Sequence, residues 1–244
     1  MTEANNYSIN KKLKDLYEKY YWSLSLLYKK EEKIEKESAD PLLISIADEE
    51  AFEKADCRLL IYGQETNGWG TKNGVEDVES ICNEYDIFFN SCKCYHDGGQ
   101  FWNGVKRFNS LLEKKLFDRK IFLIWNNIIK IGKNCSENNK EKCKGRPQQH
   151  IYNVEREFFP VIKEELILIK PNIVLFFTGP NYDDVIKDNF GTLKYEAVEP
   201  FSERQLSRVS LNNIPFVFRT YHPNYLWRHK IENYFNAIIN KIEL

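Results

Sequence analysis

The chain has 244 residues, 42% of them hydrophobic, and its 35 Lys and Arg stand against 36 Asp and Glu. This length suits one α/β domain with a full core, and a net charge near zero neither supports nor excludes nucleic acid as a partner. No apolar run is long enough to cross a bilayer, and the polar N-terminus lacks the apolar stretch of a signal peptide. We therefore expect a cytoplasmic protein with no membrane partner.

We expect the six cysteines of such a chain to be thiols rather than disulfides. Cys92 and Cys94 with His96, or Cys135 with Cys143, could hold a metal ion, but neither group has the CxxC pairing of common zinc sites. We predict no metal and no other cofactor.

The first predicted element is a long helix from about residue 10 to residue 38. Apolar residues recur along it at steps of three and four, namely Leu13, Tyr17, Tyr20, Leu24 and Leu27. The stripe ends in residues 29–33, whose lysines and glutamates are typical of a solvated helix end. We expect this helix to pack on the outside of the core as an addition to the domain.

Four continuous apolar runs follow, each typical of a strand covered on both faces. They are Arg58–Tyr62, Ile121–Trp125, Asn172–Phe177 and Pro215–Arg219. Helical patterns separate them at about residues 76–90, 100–115, 153–168 and 182–188, and a last helix is predicted over about 226–242. The alternation predicts a single α/β domain over residues 1–244, a three-layer α/β/α sandwich around a short four-stranded parallel sheet.

Residues 130–146 interrupt this pattern with a basic segment. The segment contains six basic residues and only two acidic ones; the basic ones are Lys130, Lys133, Lys140, Lys142, Lys144 and Arg146. Two interpretations stay open: a mobile surface loop, or a set of phosphate contacts in a DNA-binding protein.

Polar, turn-forming segments follow the first and the last of the four strands. They are GQETNGWG at 63–70 and TYHPNYL at 220–226. Ligands bind at the carboxyl ends of strands in open α/β sheets, so Glu65 and His222 are candidate site residues. A solvated polar turn and a structural histidine are the alternatives.

Together these segments resemble the motifs of the uracil-DNA glycosylase superfamily. GQETN at 63–67 is similar to that family's water-activating motif, which begins Gly-Gln-Asp-Pro-Tyr, and HPNYL at 222–226 is similar to its His-Pro-Ser-Pro-Leu. LIWN at 123–126 resembles the strand that ends in the base-reading asparagine, and FFTGP at 176–180 resembles the turn that meets the DNA backbone. The four motifs stand in the family's order across residues 58–226.

The resemblance implies a uracil-DNA glycosylase-like fold and a monofunctional DNA glycosylase, which flips a base out of DNA and hydrolyses its N-glycosidic bond to leave an abasic site. Glu65 would activate the attacking water, and His222 would donate a hydrogen bond to the leaving base. Asn126 would read the base, beside Gln64 and Asn67.

The remaining roles are assigned to aromatic and loop residues. Trp69 is the favoured stacking partner of the flipped base, ahead of Tyr85, Phe88 and Phe89. Gly179 and Asn181 would let backbone amides approach phosphates, and Leu226 with Tyr225 would fill the gap left in the duplex. DNA is the expected partner, and no obligate protein partner is implied.

Two departures from the family pattern concern the attacking water and the substrate. Glu65 replaces an aspartate, and Asn67 replaces the tyrosine that excludes substituents on carbon 5 of the pyrimidine. We therefore expect tolerance of 5-substituted or modified pyrimidines, in base-excision repair or in defence against phages with modified DNA. The alternatives are a non-catalytic DNA-binding relative that recognises modified DNA and an unrelated α/β enzyme acting on a small molecule.

Overall fold

A computed structural model describes residues 8–70, 77–96, 99–134 and 144–244. Its strands in chain order are β1 (Ser38–Pro41), β2 (Cys57–Gly63), β3 (Ile121–Asn127), β4 (Ile131–Lys133), β5 (Ile173–Phe176), β6 (Lys194–Ala197), β7 (Leu206–Ser210) and β8 (Phe216–Thr220). Six of them form one sheet in the order β3-β2-β5-β8-β7-β6, and β1 pairs with β4 separately.

All four predicted strands are present, and they run parallel as β3-β2-β5-β8. The prediction of a four-stranded sheet is nevertheless wrong, because β7 and β6 extend the sheet antiparallel beyond β8. β6 lies at the sheet edge with mostly exposed residues, and β7 alternates buried with exposed positions towards its end. Neither strand contains the continuous apolar run that identifies a strand covered on both faces.

The described helices lie around this sheet. They are α1 (Ile9–Lys30), α2 (Glu32–Glu37), α3 (Glu49–Glu53), α4 (Val78–Tyr85), α5 (Lys93–His96), α6 (Gln100–Lys115), α7 (Gln149–Phe158), α8 (Ile162–Ile169), α9 (Asp183–Phe190), α10 (Pro223–Leu226) and α11 (Ile231–Ile239). One group packs around α1, with α4, α7 and α8, and another around α6, with α5, α10 and α11. The arrangement is compatible with a three-layer sandwich. None of the helices described has the length and apolar character needed to span a bilayer.

The N-terminal helix is shorter than its sequence pattern suggests. α1 begins after Ser8, whose side chain accepts a hydrogen bond from the Lys11 amide, and it ends at Lys30 before the short α2. The predicted stripe does face the core, with Leu13, Tyr17 and Leu24 buried. The pattern therefore identified the correct face, while the charged residues after position 28 concealed the break between two helices.

Lys130 corrects the interpretation of the basic segment, because this residue is fully buried. Its Nζ lies 2.6 Å from Glu165 Oε1 and donates to Asn126 Oδ1 at 2.8 Å. The Tyr17 hydroxyl donates to the same Glu165 oxygen at 2.7 Å. We call Lys130, Glu165, Asn126 and Tyr17 the buried ion cluster. Burial lowers the pKa of Lys130, and the Glu165 carboxylate opposes that shift.

The rest of the basic segment divides into different environments. Lys133 ends β4, and its Nζ donates to the Lys144 carbonyl at 2.8 Å. Arg146 forms two hydrogen bonds with the Asp184 carboxylate. Lys140 and Lys142 lie outside the described residues. Fewer cations of this segment could therefore reach a phosphate than its composition implies.

Loss of one member of the buried ion cluster should be far more costly than loss of both charges. Lys130→Met leaves the Glu165 carboxylate buried without its cation, so we expect the free energy of unfolding to fall by about 3–5 kcal/mol. The double variant Lys130→Met/Glu165→Met removes both charges and should recover much of that loss; the remainder reflects the hydrogen bonds that Tyr17 and Asn126 make to Glu165. Urea denaturation followed by circular dichroism measures both.

Lys36→Met is the matched control, because Lys36 pairs with Glu32 on the exposed surface of α2. It should leave the free energy of unfolding nearly unchanged, because solvent screens this exposed pair. A Lys130→Met loss as small as that of the control would contradict the mutual dependence of the buried charges.

Candidate active site

Four loops meet where the parallel strands end. The Gln64 side chain donates from Nε2 to the Thr178 carbonyl at 2.7 Å, joining the loops after β2 and β5. The Gly179 amide donates to the Thr220 carbonyl at 2.9 Å, joining the loops after β5 and β8. The Ile128 amide donates to the Gly63 carbonyl at 3.1 Å, which fixes the end of β3 against that of β2. The two polar motifs therefore belong to one edge of the sheet.

Gly63 lies at the most crowded point of this edge. A Cβ atom at position 63 would overlap Asn127 Oδ1 and would lie 3.2 Å from Cζ of Phe101. Gly63 and Asn127 are register partners at the ends of β2 and β3. Only glycine lets the Asn127 amide and the Phe101 ring approach the strand end together.

His222 is held on the Phe101 ring at the start of α10. The ring centroids lie 5.3 Å apart with an angle of 28° between the planes. The Asn224 amide donates to His222 Nδ1 at 3.1 Å, so the proton of the neutral ring is on Nε2. Burial lowers the pKa of His222 to about 4. Within the described part of the chain, Nε2 makes no hydrogen bond, so its N–H is available to donate.

Glu65 lies in the loop after β2, and the Tyr182 hydroxyl donates a hydrogen bond to its Oε2. Burial raises the pKa of the Glu65 carboxyl, while the Tyr182 hydrogen bond and the positive charges of Lys133 and Arg146 act in the opposite direction. The Arg146 guanidinium lies 4.2 Å from the centroid of the Tyr182 ring, and Asp184 anchors it through two hydrogen bonds. Glu65 is thus fixed from the side of α9.

The neighbouring motif residues are also fixed in place. Thr66 is buried, and a Cβ atom at Gly132 of β4 would overlap its hydroxyl. Asn67 is exposed and forms an isolated bridge with Lys133. The close contact between the loop after β2 and strand β4 therefore limits the movement of Glu65, which lies directly before Thr66.

Asn126 is not where a base-reading residue must be. Its side chain is fully buried; Nδ2 donates to Glu165 Oε2 at 2.8 Å, and Oδ1 accepts from Lys130 and from the Asn127 amide. Side chains of successive strand residues point to opposite faces of a sheet. The side-chain amide of the next residue, Asn127, therefore lies at Gly63 beside Phe101 instead. In this conformation the Asn126 side chain therefore cannot contact a base, contrary to the prediction.

Trp69 and Leu226 have structural surroundings that differ from their predicted roles. Trp69 packs edge-on against Trp125 and Phe88, with centroids at 5.5 and 5.6 Å, as part of the aromatic core. The aromatic ring beside His222 is Phe101, which no motif identified because it lies in the first turn of α6, far from both motifs in sequence. Leu226 is 0% exposed and cannot enter a duplex in this conformation.

The turn after β5 presents Asn181 rather than Gly179. The Gly179 amide is already bonded to Thr220, so it cannot bind a phosphate. Gly179 has φ of +75°, which only glycine adopts readily, and this left-handed turn leads to the exposed Asn181. Asn181 Oδ1 accepts from Arg204 at 3.4 Å.

Comparison with known proteins gives no family assignment: no known family matches the chain, and no curated protein matches it either. Among the described residues, no three His, Cys, Asp or Glu side chains are grouped so as to hold a metal ion.

The protonation state of His222 is directly measurable. Its folded-state pKa of about 4 lies below the ordinary value of about 6.5, so between these pH values the unfolded chain binds a proton that the folded chain does not. His222 should therefore lower stability as the pH falls from about 6.5 to about 4, and have no such effect above that window. An NMR titration should show one imidazole, identified by its absence in His222→Gln, that stays neutral down to about pH 5. Titration of that imidazole near 6.5 would contradict its burial.

Proposed function

We propose that this protein is a monofunctional DNA glycosylase that hydrolyses the N-glycosidic bond of a pyrimidine flipped out of DNA. The observation that carries the proposal is the state of His222: a neutral ring, stacked on Phe101, whose Nε2 can donate at the sheet edge that also holds Glu65. The order of the motifs along the chain adds to it. The uracil-DNA glycosylase-like fold is part of the same proposal.

His222 supports the departure of the base. The base leaves with negative charge on its carbonyl oxygens, and a donor already in position stabilises that charge more in the transition state than in the ground state. A neutral imidazole is suited to this role because it donates a hydrogen bond while keeping its proton. The amide of Asn224 fixes the tautomer in which Nε2 bears that proton.

Glu65 acts on the other side of the bond. As a carboxylate it accepts a proton from the attacking water and stabilises the positive charge that develops on the sugar. Tyr182 holds its Oε2, which compensates for the freedom that the extra methylene of glutamate brings. The Tyr182 hydrogen bond and the nearby Arg146 and Lys133 also favour the carboxylate over the protonated form.

The base would contact the Phe101 ring and the side-chain amide of Asn127, which meet at Gly63 and of which Asn127 is 3% exposed. Phe101 offers an aromatic ring beside His222, and the Asn127 amide has a donor and an acceptor for the Watson–Crick edge. Asn127 thereby takes the role first predicted for Asn126, and Phe101 takes the role of Trp69. Asn67, in the same loop as Glu65, would bound the base with only a small polar side chain, which would leave room for a substituent on carbon 5.

Base release from labelled oligonucleotides tests the proposed function. The panel carries uracil, a thymine mismatch, 5-hydroxymethyl bases and glucosylated cytosine, and abasic sites are revealed by alkaline cleavage. Loss of one such hydrogen-bond donor lowers the rate by roughly 10²–10³-fold, so His222→Ala should show a loss of that size. Glu65→Gln should lose about 10²–10⁴-fold.

His150→Ala is the matched control, because His150 bonds to Glu37 of α2, which has no part in the proposed mechanism. It should retain full activity. Binding of the panel without release of any base would overturn the glycosylase proposal and favour the non-catalytic DNA-binding relative.

The Asn67→Tyr variant tests the pocket wall near carbon 5. A tyrosine at this position should close the space there, because the bulky ring replaces a short amide. We expect release of the bulkiest 5-substituted base to fall at least tenfold relative to uracil, measured as the ratio of the two kcat/KM values. An unchanged ratio would contradict the role of Asn67.

A further inference from the structure

Three rings contact one another in a column that starts next to His222 in sequence. Tyr221 and Tyr225 have centroids 4.3 Å apart with their planes tilted by 39°, and Tyr225 and His229 are stacked with centroids 4.0 Å apart and planes at 20°. The column begins at the turn after β5, where a Cβ atom at Gly179 would lie 3.5 Å from Tyr221 Cδ1. It ends at His229, which is exposed. The column therefore leads from the strand ends to solvent.

Local sequence accounts for the alignment of these rings. Residues four apart in a helical turn share a face, and Tyr221, Tyr225 and His229 follow that spacing. Pro223 and Leu226, between them, are buried and hold the segment on α6. The approach is close, because a Cβ atom at Gly104 of α6 would lie only 2.5 Å from Pro223 Cβ. The ring-bearing face is thus turned outwards.

Cations flank the exposed end of the column. Arg228 and Lys230, the neighbours of His229 on either side in sequence, are both exposed. The next acidic side chain along the chain, Glu232, is engaged by Arg107 through bonds of 2.6 and 2.9 Å. An exposed ring with a cation on each side of it in sequence has the residue types that stack bases and contact phosphates in single-stranded nucleic-acid binding.

Neither Leu226 nor Tyr225 is placed to fill the gap that a flipped base leaves in a duplex. Leu226 is fully buried, and Tyr225 lies between two other rings, although it remains 41% exposed. A base flipped out of a duplex leaves a gap that an inserted side chain must fill, at an unstacking cost of a few kcal/mol per step. An unpaired strand has no such gap, so it needs no inserted residue.

We propose that the Tyr221–Tyr225–His229 column is a binding site for single-stranded DNA, with an unpaired base stacked on the outer face of His229 and its phosphates at Arg228 and Lys230. The inference rests on the proposed function in one respect, namely that the strand delivers its target base to His222. It makes single-stranded DNA, rather than duplex, the substrate class of this site.

Fluorescence anisotropy with a labelled 15-mer of unmodified bases, alone and annealed to its complement, tests the inference without reference to catalysis. The wild type should bind the single strand more tightly than the duplex. His229→Ala and His229→Leu should both weaken single-strand binding by roughly 5- to 150-fold, the range for loss of one stacked base, while His229→Tyr should retain it. Arg228→Gln should reduce the slope of log K against log salt by about 0.7.

Trp22→Ala is the matched control, because Trp22 is 68% exposed on α1 and lies outside this surface. Tighter binding of the duplex, or a His229→Leu variant that binds as well as the wild type, would overturn the inference. Single-strand binding with the expected variant pattern but no base release would overturn only the proposed function. If bases were released at equal rates from single-stranded and duplex DNA, the proposed function would stand, but the role of the column in single-strand binding would be overturned.

Discussion

The close approach of three groups at Gly63 is the constraint on which the rest of the site depends. Because residue 63 has no side chain, the Asn127 amide and the Phe101 ring both reach the end of β2. Phe101 in turn supports His222, which belongs to the loop after β8. Because glycine has no Cβ atom, residues from three distant parts of the sequence come into contact at this point. Any larger residue at position 63 would push them apart.

Burial shifts the two central titratable groups in opposite directions. It lowers the pKa of His222 and raises that of Glu65, because in each case the charged form is disfavoured. The neighbours then distinguish the two. Glu65 has Tyr182, Lys133 and Arg146 to favour its carboxylate, whereas the His222 ring accepts a hydrogen bond from a backbone amide, which fixes a neutral tautomer. The arrangement keeps a neutral donor and a potential base at one sheet edge.

Much of the fold could be predicted from sequence because the four parallel strands are continuous apolar runs, and short runs of this kind are typical of strands covered on both faces. The limits are equally physical. β6 is mostly exposed, so it carries no apolar signal. Asn126 and Asn127 are adjacent and chemically identical, and only the pleat of β3 decides which one faces the site. Phe101 and the burial of Leu226 depend on the packing of α6 against α10, which no local pattern records.

The N-terminal helix is more than an addition to the domain, because the buried ion cluster connects it with the site. Tyr17 of α1 bonds to Glu165 of α8, and Glu165 bonds to Asn126 of β3. Asn126 Oδ1 accepts a hydrogen bond from the backbone amide of Asn127. The side chain of Asn127 in turn meets Phe101 at Gly63. A chain of hydrogen bonds thus runs from α1 to the end of β3. Charges so buried are costly unless every partner is present, so the position of Asn127 depends on the docking of a helix that the family motifs do not include.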